Sequence, residues 1–114
     1  MSTHVLDTAR GVPAEGMTID LHRVETSGRL HIKRSSTNSD GRTGDSLVSG
    51  YRLETGIYEL TFYAADYFRH AGIPISDPPF FNEIVIRFGV SDPEGNYHVP
   101  LLLSPYGYTT YRGS

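Results

Sequence analysis

Hydrophobic and polar residues alternate with a period of two along most of the chain, which is the pattern of strands with one buried face. Four segments show it most clearly, with apolar positions at Met17, Ile19 and Leu21; Leu30 and Ile32; Tyr58, Leu60 and Phe62; and Ile84, Ile86, Phe88 and Val90. A further segment, residues 97–103, places Val99, Leu101 and Leu103 on one face. The pattern therefore predicts a protein built mostly of short strands.

One segment is typical of a helix instead. Residues 64–71 are helix-tolerant, and Gly72 followed by Pro74 is a helix C-terminus signature. Gly, Pro, Asn and Asp clusters separate the remaining segments, and the chain has neither an internal repeat nor a linker long enough to divide it. Many short strands with one short helix predict an all-β sandwich of two antiparallel sheets, a single domain over residues 1–114.

The alternation also predicts where two histidines point. If residues 97–103 bury their apolar positions, His98 faces outward together with Pro100 and Leu102. In the first strand, His4 and Leu6 share the outward face by the same alternation. Such a face is too apolar to be left in water, so we expect another subunit to cover it. Two imidazoles would then lie in a protein interface, where catalytic use is a better explanation than chance.

Composition and charge exclude several classes of protein. The 114 residues include no Cys, so disulfide frameworks, thiolate metal sites and cysteine nucleophiles are excluded. Ten basic and thirteen acidic residues are scattered without a basic stripe, so no nucleic-acid partner is expected. The apolar runs are far too short to span a bilayer, and the first residues do not resemble a signal peptide. We therefore expect a cytoplasmic protein with no membrane partner.

The five histidines and two polar segments differ in how strongly they indicate a catalytic role. His22, His31 and His70 fit solvent-facing or helix-terminal positions and need no functional role. His4 and His98 stand out only through the shared outward face. Two converging histidines could hold zinc with help from a third ligand, although no HxH or HExxH spacing is present. Residues 37–42 have the composition of an ordinary turn, and residues 111–114 that of a frayed end.

Three stretches then carry a family resemblance that covers essentially the whole chain. STHVLDTARGVPA at residues 2–14, TNSDGR at 37–42 and HVPLLLSPYGYTTYRGS at 98–114 resemble the 5-hydroxyisourate hydrolases, the transthyretin-related enzymes of urate breakdown. Residues 54–60 and 79–83 fit the same family. The closing Tyr-Arg-Gly-Ser is the most discriminating feature, and Thr109-Thr110 stands where many members have Ser-Thr.

The resemblance implies an architecture and a set of site residues. The fold would be a transthyretin-like sandwich of two four-stranded antiparallel sheets with a short helix near residues 64–71, assembled as a homotetramer, a dimer of dimers with sites at the subunit interface. No cofactor and no metal is implied. The implied catalytic residues are His4, Arg42, His98 and Ser114, and the implied substrate-binding residues are Arg42, Tyr111, Arg112, Gly113 and Ser114.

The implied reaction is hydrolysis of 5-hydroxyisourate at its N1–C6 bond, giving 2-oxo-4-hydroxy-4-carboxy-5-ureidoimidazoline. A histidine would act as the base, and the guanidinium groups suit a flat, carbonyl-rich substrate. Which of the two histidines is the base stays open, as does whether Tyr111 or Ser104 orders the water. Two alternatives remain: a transthyretin-type carrier of a small hydrophobic ligand, and a β-sandwich interaction module.

Overall fold

Eight strands and one helix make up the fold. The computed structural model describes residues 1–114. In chain order the elements are β1 (Val5–Asp7), β2 (Val12–Pro13), β3 (Thr18–Glu25), β4 (Gly28–Ser36), β5 (Gly56–Phe62), α1 (Ala64–His70), β6 (Ile84–Val90), β7 (Leu101–Ser104) and β8 (Gly107–Thr110). A first sheet has the order β2-β1-β7-β8, and a second sheet has the order β4-β3-β5-β6. The prediction of a sandwich of two four-stranded sheets with one short helix is confirmed.

The core lies between the two sheets and follows the predicted alternation. Its fully buried members include Val5, Leu101 and Leu103 from the first sheet and Ile19, Leu21, Leu60 and Phe62 from the second. The helix adds the ring of Phe68. It ends one residue earlier than predicted, and Gly72 follows with a φ of 75°, a left-handed conformation in which glycine is not strained. No helix has the length and apolar character needed to cross a membrane.

One pair of strands departs from the expected antiparallel arrangement. β1 and β7 are parallel, with Val5 opposite Leu101 and Asp7 opposite Leu103. The whole second sheet lies between them in the chain, so no hairpin joins them, and long crossovers permit parallel pairing. The predicted strand over residues 97–103 is also shorter than expected. Pro100 has no N–H to donate, and before β7 the strand pairing is limited to isolated bridges at His98.

Two predicted environments were wrong. Leu30 is 46% exposed, because it lies opposite Arg23 at the end of the second sheet, beyond the apolar core. A register shift after Leu21 accompanies this arrangement, with Leu21 opposite Lys33 but His22 opposite His31. Pro100, expected on an outer face that another subunit covers, is already buried within the subunit. The final segment of the chain runs beside it, and its carbonyl accepts a hydrogen bond from Thr110 Oγ1 at 2.7 Å.

The outer face of the second sheet carries a network of charged and polar side chains. His22 and His31 lie on it as predicted, with ring centroids 5.0 Å apart. Glu59 is buried there, although its position faces away from the core, because the guanidinium groups of Arg29 and Arg87 lie within 3.2 Å and 2.7 Å of its carboxylate. These hydrogen bonds oppose the effect of burial and hold the pKa of Glu59 below its usual value.

Candidate active site

The turn between β4 and β5 places Arg42 beside the start of β1. Asn38 builds this turn, because its Oδ1 accepts hydrogen bonds from the backbone N–H groups of Asp40, at 2.9 Å, and Arg42, at 3.2 Å. Gly41 docks it, since the Gly41 carbonyl accepts a 2.8 Å hydrogen bond from the N–H of Val5. Gly41 has a φ of 77°, and a Cβ atom there would overlap the carbonyl oxygen of Val5. The polar run 37–42 is therefore a turn whose residue types serve to position Arg42.

His4 precedes β1 and is held by the same turn. Its Nε2 lies 2.8 Å from the carbonyl oxygen of Asp40. A carbonyl oxygen only accepts hydrogen bonds, so Nε2 carries the proton and Nδ1 of a neutral His4 keeps its lone pair. The backbone of His4 is fixed as well, because its carbonyl accepts a 3.0 Å hydrogen bond from the N–H of Leu101. The turn thus sets both the tautomer of His4 and the location of Arg42.

His98 lies between the first residues of the chain and the last. Its backbone bridges to Ser2 on one side and to Gly113 on the other. The Oγ of Ser2 is 2.8 Å from Nδ1 of the ring, and the N–H of Gly113 donates to the His98 carbonyl at 2.7 Å. Burial, together with the positive charges of Arg42 and His4, lowers the pKa of His98 below 6.5. His98 is consequently neutral at physiological pH and able to accept a proton.

A polar cleft of about 420 Å³ opens beside His98. It is lined by Met1, Ser2, Arg42, Asn96, Tyr97, His98 and Ser114. The fold thus brings together Arg42, His98 and Ser114, which are remote from one another in sequence. The Arg42 side chain is exposed and has no hydrogen bond or ion pair within the subunit, so its donors are available to a bound molecule. The cleft offers a neutral imidazole, a free guanidinium and a hydroxyl group.

The other residues of the C-terminal tail, residues 111–114, differ in how they relate to the cleft. Arg112 contacts two residues that line the cleft, because its guanidinium lies 4.6 Å from the centroid of the Tyr97 ring and donates to the Asn96 carbonyl at 3.0 Å. Gly113 packs directly on the His98 ring. Tyr111 is 57% exposed and lines a separate apolar recess next to β6, outside the cleft. Within one subunit, Ser114 lines the cleft and Gly113 contacts the His98 ring, whereas Arg112 and Tyr111 both line the separate recess.

Sequence reasoning did not single out four residues that line the cleft: Met1, Ser2, Asn96 and Tyr97. The signal for Ser2 was present, because alternation by two puts Ser2 on the same face as His4. The same alternation puts Asn96 on the face of His98, whereas no such signal exists for Met1 or Tyr97. Ser104, considered as a residue that orders water, lies in the β7–β8 hairpin and donates to the Gly107 carbonyl at 3.4 Å, away from the cleft.

Comparison with known proteins decides the family. Residues 1–113 match the profile of the HIUase/Transthyretin family. The chain belongs to this family. A relative named 5-hydroxyisourate hydrolase 2 from Rhizobium meliloti (strain 1021) is 55% identical over 114 residues, which is all of this chain and 95% of that protein.

Solved structures agree with the family assignment. The structure of 5-hydroxyisourate hydrolase from Klebsiella pneumoniae has a TM-score of 0.79 and 36% sequence identity, covering 99% of this chain and 97% of the other. An (S)-allantoin synthase structure has a TM-score of 0.90 and 42% identity, and the match spans 99% of this chain but only 43% of that longer protein. The transthyretin-like fold expected from the sequence is confirmed, as is the expected kinship with the hydrolases of this family.

Proposed function

We propose that this protein hydrolyses 5-hydroxyisourate to 2-oxo-4-hydroxy-4-carboxy-5-ureidoimidazoline in urate breakdown. The observation that carries the proposal is the cleft in which His98, Arg42 and Ser114 meet, in a chain 55% identical to a relative named as a hydrolase of this compound. The substrate is a small, planar, carbonyl-rich molecule. A cleft of about 420 Å³ with few apolar groups suits such a molecule better than a hydrophobic ligand.

His98 is the proposed general base. Its lowered pKa keeps the ring neutral near pH 7, so a ring nitrogen can take a proton from water as the oxygen attacks C6 of the substrate. The C6 carbonyl oxygen becomes an oxyanion, the C6–N1 bond then breaks, and N1 receives a proton as it leaves. Water is thereby divided between the new carboxylic acid at C6 and the N–H at N1, and no electrons are transferred.

Arg42 and the tail residues are the proposed binding and stabilising groups. The unpaired guanidinium of Arg42 can donate to the oxyanion, and Arg112, which hydrogen-bonds the cleft residue Asn96, is the second guanidinium proposed to bind the substrate. Ser114 lines the cleft, and its hydroxyl group can hydrogen-bond the substrate or the attacking water. Tyr111 and Gly113 complete the proposed substrate-binding set, with Gly113 acting through its contact with His98.

His4 is the proposed proton relay. Its charge contributes to the lowered pKa of His98, so the two imidazoles are close enough to interact. Because Nε2 of His4 donates to the Asp40 carbonyl, its Nδ1 is free to accept a proton and pass it on. The division of roles, with His98 as base and His4 as relay, follows from the cleft, which is lined by His98 and not by His4.

We also infer a homotetramer, a dimer of dimers acting in the cytoplasm, with the sites at subunit interfaces. Leu6 and Leu102 are only half-buried in the subunit, and Pro13, which lies opposite Leu6, is exposed, so the outer face of the first sheet has apolar area for a partner to cover. Sedimentation at decreasing concentration, with turnover measured in parallel, tests the assembly. Full activity in a monomer would contradict the interface site.

A coupled assay tests the proposed reaction. Urate oxidase generates 5-hydroxyisourate in situ, and its decay is followed by absorbance with no protein, with wild type, with His98→Ala and with His70→Ala. His70 is the matched control, because it is the exposed last residue of α1 and lies outside the cleft. We expect wild type and His70→Ala to accelerate decay and His98→Ala to lose roughly 10²–10⁴ in rate.

Two outcomes would contradict the proposal. If the folded wild type does not accelerate the decay of 5-hydroxyisourate, the proposed hydrolase activity is wrong. Retention of a small hydrophobic ligand under the same conditions would then favour a carrier. Equal acceleration by wild type and His98→Ala would keep the reaction but exclude His98 as its base.

A further inference from the structure

We propose that Ser2 is a positioning residue that fixes the tautomer and the plane of His98, so that Nε2 presents its lone pair to the cleft. This inference rests on the proposed function for its effect on turnover, but the geometry behind it is independent of the substrate. It concerns a residue that makes no direct contribution to the chemistry and acts only through His98.

Three of the five ring atoms of His98 are held or covered. Ser2 Oγ lies 2.8 Å from Nδ1. On the opposite side the backbone of Gly113 packs so closely that an added Cβ atom would overlap Cδ2 and lie within 3.2 Å of Cγ. The edge formed by Cε1 and Nε2 is the one left for the cleft. His98 therefore has one nitrogen for orientation and one for chemistry.

The direction of the Ser2 hydrogen bond follows from the role of the base. A general base needs a lone pair on the nitrogen that faces the substrate, so the proton of neutral His98 must sit on Nδ1. Ser2 Oγ then accepts from Nδ1–H. This bond survives when Nε2 takes a proton from water, because Nδ1–H is present in both the neutral ring and the imidazolium. A hydroxyl partner at Nδ1 thus suits every stage of the reaction.

Backbone hydrogen bonds fix the position of Ser2 and so the location of its side chain. The N–H of Ser2 donates to the Tyr97 carbonyl at 2.9 Å, and the Ser2 carbonyl accepts from the N–H of Val99 at 2.9 Å. These two bonds flank His98 in the chain and hold Ser2 directly beside it. Neither needs the side chain, so removing the hydroxyl group leaves the bridge intact and changes only the partner at Nδ1.

The test compares Ser2→Ala with Ser2→Thr, which keeps a hydroxyl group, and with Ser27→Ala, an exposed serine in the β3–β4 turn. An imidazole without a partner at Nδ1 favours the Nε2–H tautomer, which has no lone pair facing the cleft. We expect Ser2→Ala to lower kcat roughly tenfold with little change in KM, a smaller loss than removal of the base itself. Ser2→Thr should restore most of kcat, and Ser27→Ala should match wild type.

Imidazole nitrogen chemical shifts, measured by NMR above the pKa of His98, give a readout independent of turnover. We expect the Nδ1–H tautomer in wild type and Ser2→Thr, and a shift toward Nε2–H in Ser2→Ala. Unchanged kcat in Ser2→Ala, an unchanged tautomer, or an Nε2–H tautomer in wild type would each overturn the inference. If wild type does not hydrolyse 5-hydroxyisourate, the proposed function fails, and the NMR measurement alone still decides whether Ser2 sets the tautomer.

Discussion

Gly113 and His98 are in direct contact, joined by a 2.7 Å hydrogen bond from the Gly113 N–H to the His98 carbonyl, with the glycine backbone lying against the imidazole ring. A Cβ atom at Gly113 would overlap Cδ2 of His98, so only glycine leaves the ring in place. The glycine of the closing Tyr-Arg-Gly-Ser therefore has a steric role. It lets the end of the chain cover one edge of the proposed base.

The first prediction follows from this contact. Gly113→Ala displaces the His98 ring, and we expect kcat/KM to fall on the order of 10²-fold, as for a misplaced catalytic group. The melting temperature should change little, because Gly113 lies at the half-buried end of the chain. Gly44→Ala is the control, since a Cβ atom there meets no other atom within 4 Å. A Gly113→Ala enzyme as active as Gly44→Ala would show that the ring tolerates displacement.

Arg42 is expected to matter far more for turnover than for stability. Its guanidinium has no partner within the subunit and faces the cleft, so Arg42→Ala should lower turnover roughly 10²–10³-fold, the loss typical of a missing oxyanion donor, without changing the melting temperature. Arg112→Ala should act in the same direction. Arg52→Ala, an exposed arginine in a different cleft, is the control. Wild-type turnover in either site variant would disprove the role assigned to that residue.

Removal of residues 111–114 should abolish activity without unfolding the protein. The deletion takes away Ser114 and the backbone contact of Gly113 with His98, while Tyr111 and Arg112, both exposed, contribute little to the core. Circular dichroism and thermal unfolding would check the fold, and the coupled assay would check the rate. A fully active truncated protein would show that the tail is dispensable to the site.

The pH dependence of turnover should report the lowered pKa of His98. A base must be neutral, so kcat/KM should be constant above the pKa of His98 and fall as the pH drops through it. Because burial and the charges of Arg42 and His4 lower this pKa, the midpoint should lie below 6.5. In Arg42→Ala one positive charge is gone, and NMR titration of His98 should give a higher midpoint. A wild-type midpoint above 6.5 would contradict the assignment.

A buried network around Asp7 should contribute to stability. Burial by itself raises the pKa of Asp7, but hydrogen bonds from Tyr67 Oη at 2.7 Å and from the Arg10 side chain at 3.0 Å outweigh it, and the pKa is lowered. We expect Asp7→Asn to reduce the free energy of unfolding by about 2 kcal/mol, because an amide cannot accept all these bonds. Asp66 forms an i,i+3 ion pair with Arg69, as Asp7 does with Arg10, but its side chain is 78% exposed. Asp66→Asn should therefore change the free energy of unfolding by less than about 0.5 kcal/mol.

The sign of the pH effect at Asp7 is fixed by the direction of its shift. A carboxyl group whose pKa is lower in the folded state stabilises the fold above the unfolded pKa of 3.8, and this contribution is lost as the pH falls through the folded value. Denaturant unfolding at several pH values should therefore show the difference between wild type and Asp7→Asn shrinking in acid. A difference that stays constant with pH would exclude ionisation of Asp7 as its source.

Most of the secondary structure could be predicted because it depends on local chemistry. Alternating apolar residues located β3, β5 and β6, and Gly72 located the end of α1 to within one residue. Errors arose where a residue's surroundings come from distant parts of the chain. Leu30 alternates correctly but lies beyond the core, opposite Arg23, and Pro100 is covered by a segment that returns ten residues later.

The sequence by itself determined the alternation that puts His4 and His98 on one face, the turn chemistry around Asn38 and Gly41, and the motifs that resemble the hydrolase family. These are properties of neighbouring residues, and period-two geometry or turn preference suffices to infer them.

Only the tertiary structure decided how these parts meet. The parallel pairing of β1 with β7 brings residues 2 and 98 together, so that Ser2 reaches Nδ1 of His98, and the final segment folds back to set Gly113 against the same ring. The single subunit also turns Tyr111 out of the cleft. Ser2 and His98 are 96 positions apart, and Gly113 reaches His98 only after the chain reverses between β7 and β8. The geometry of these contacts depends on packing across the whole fold, which no local pattern records.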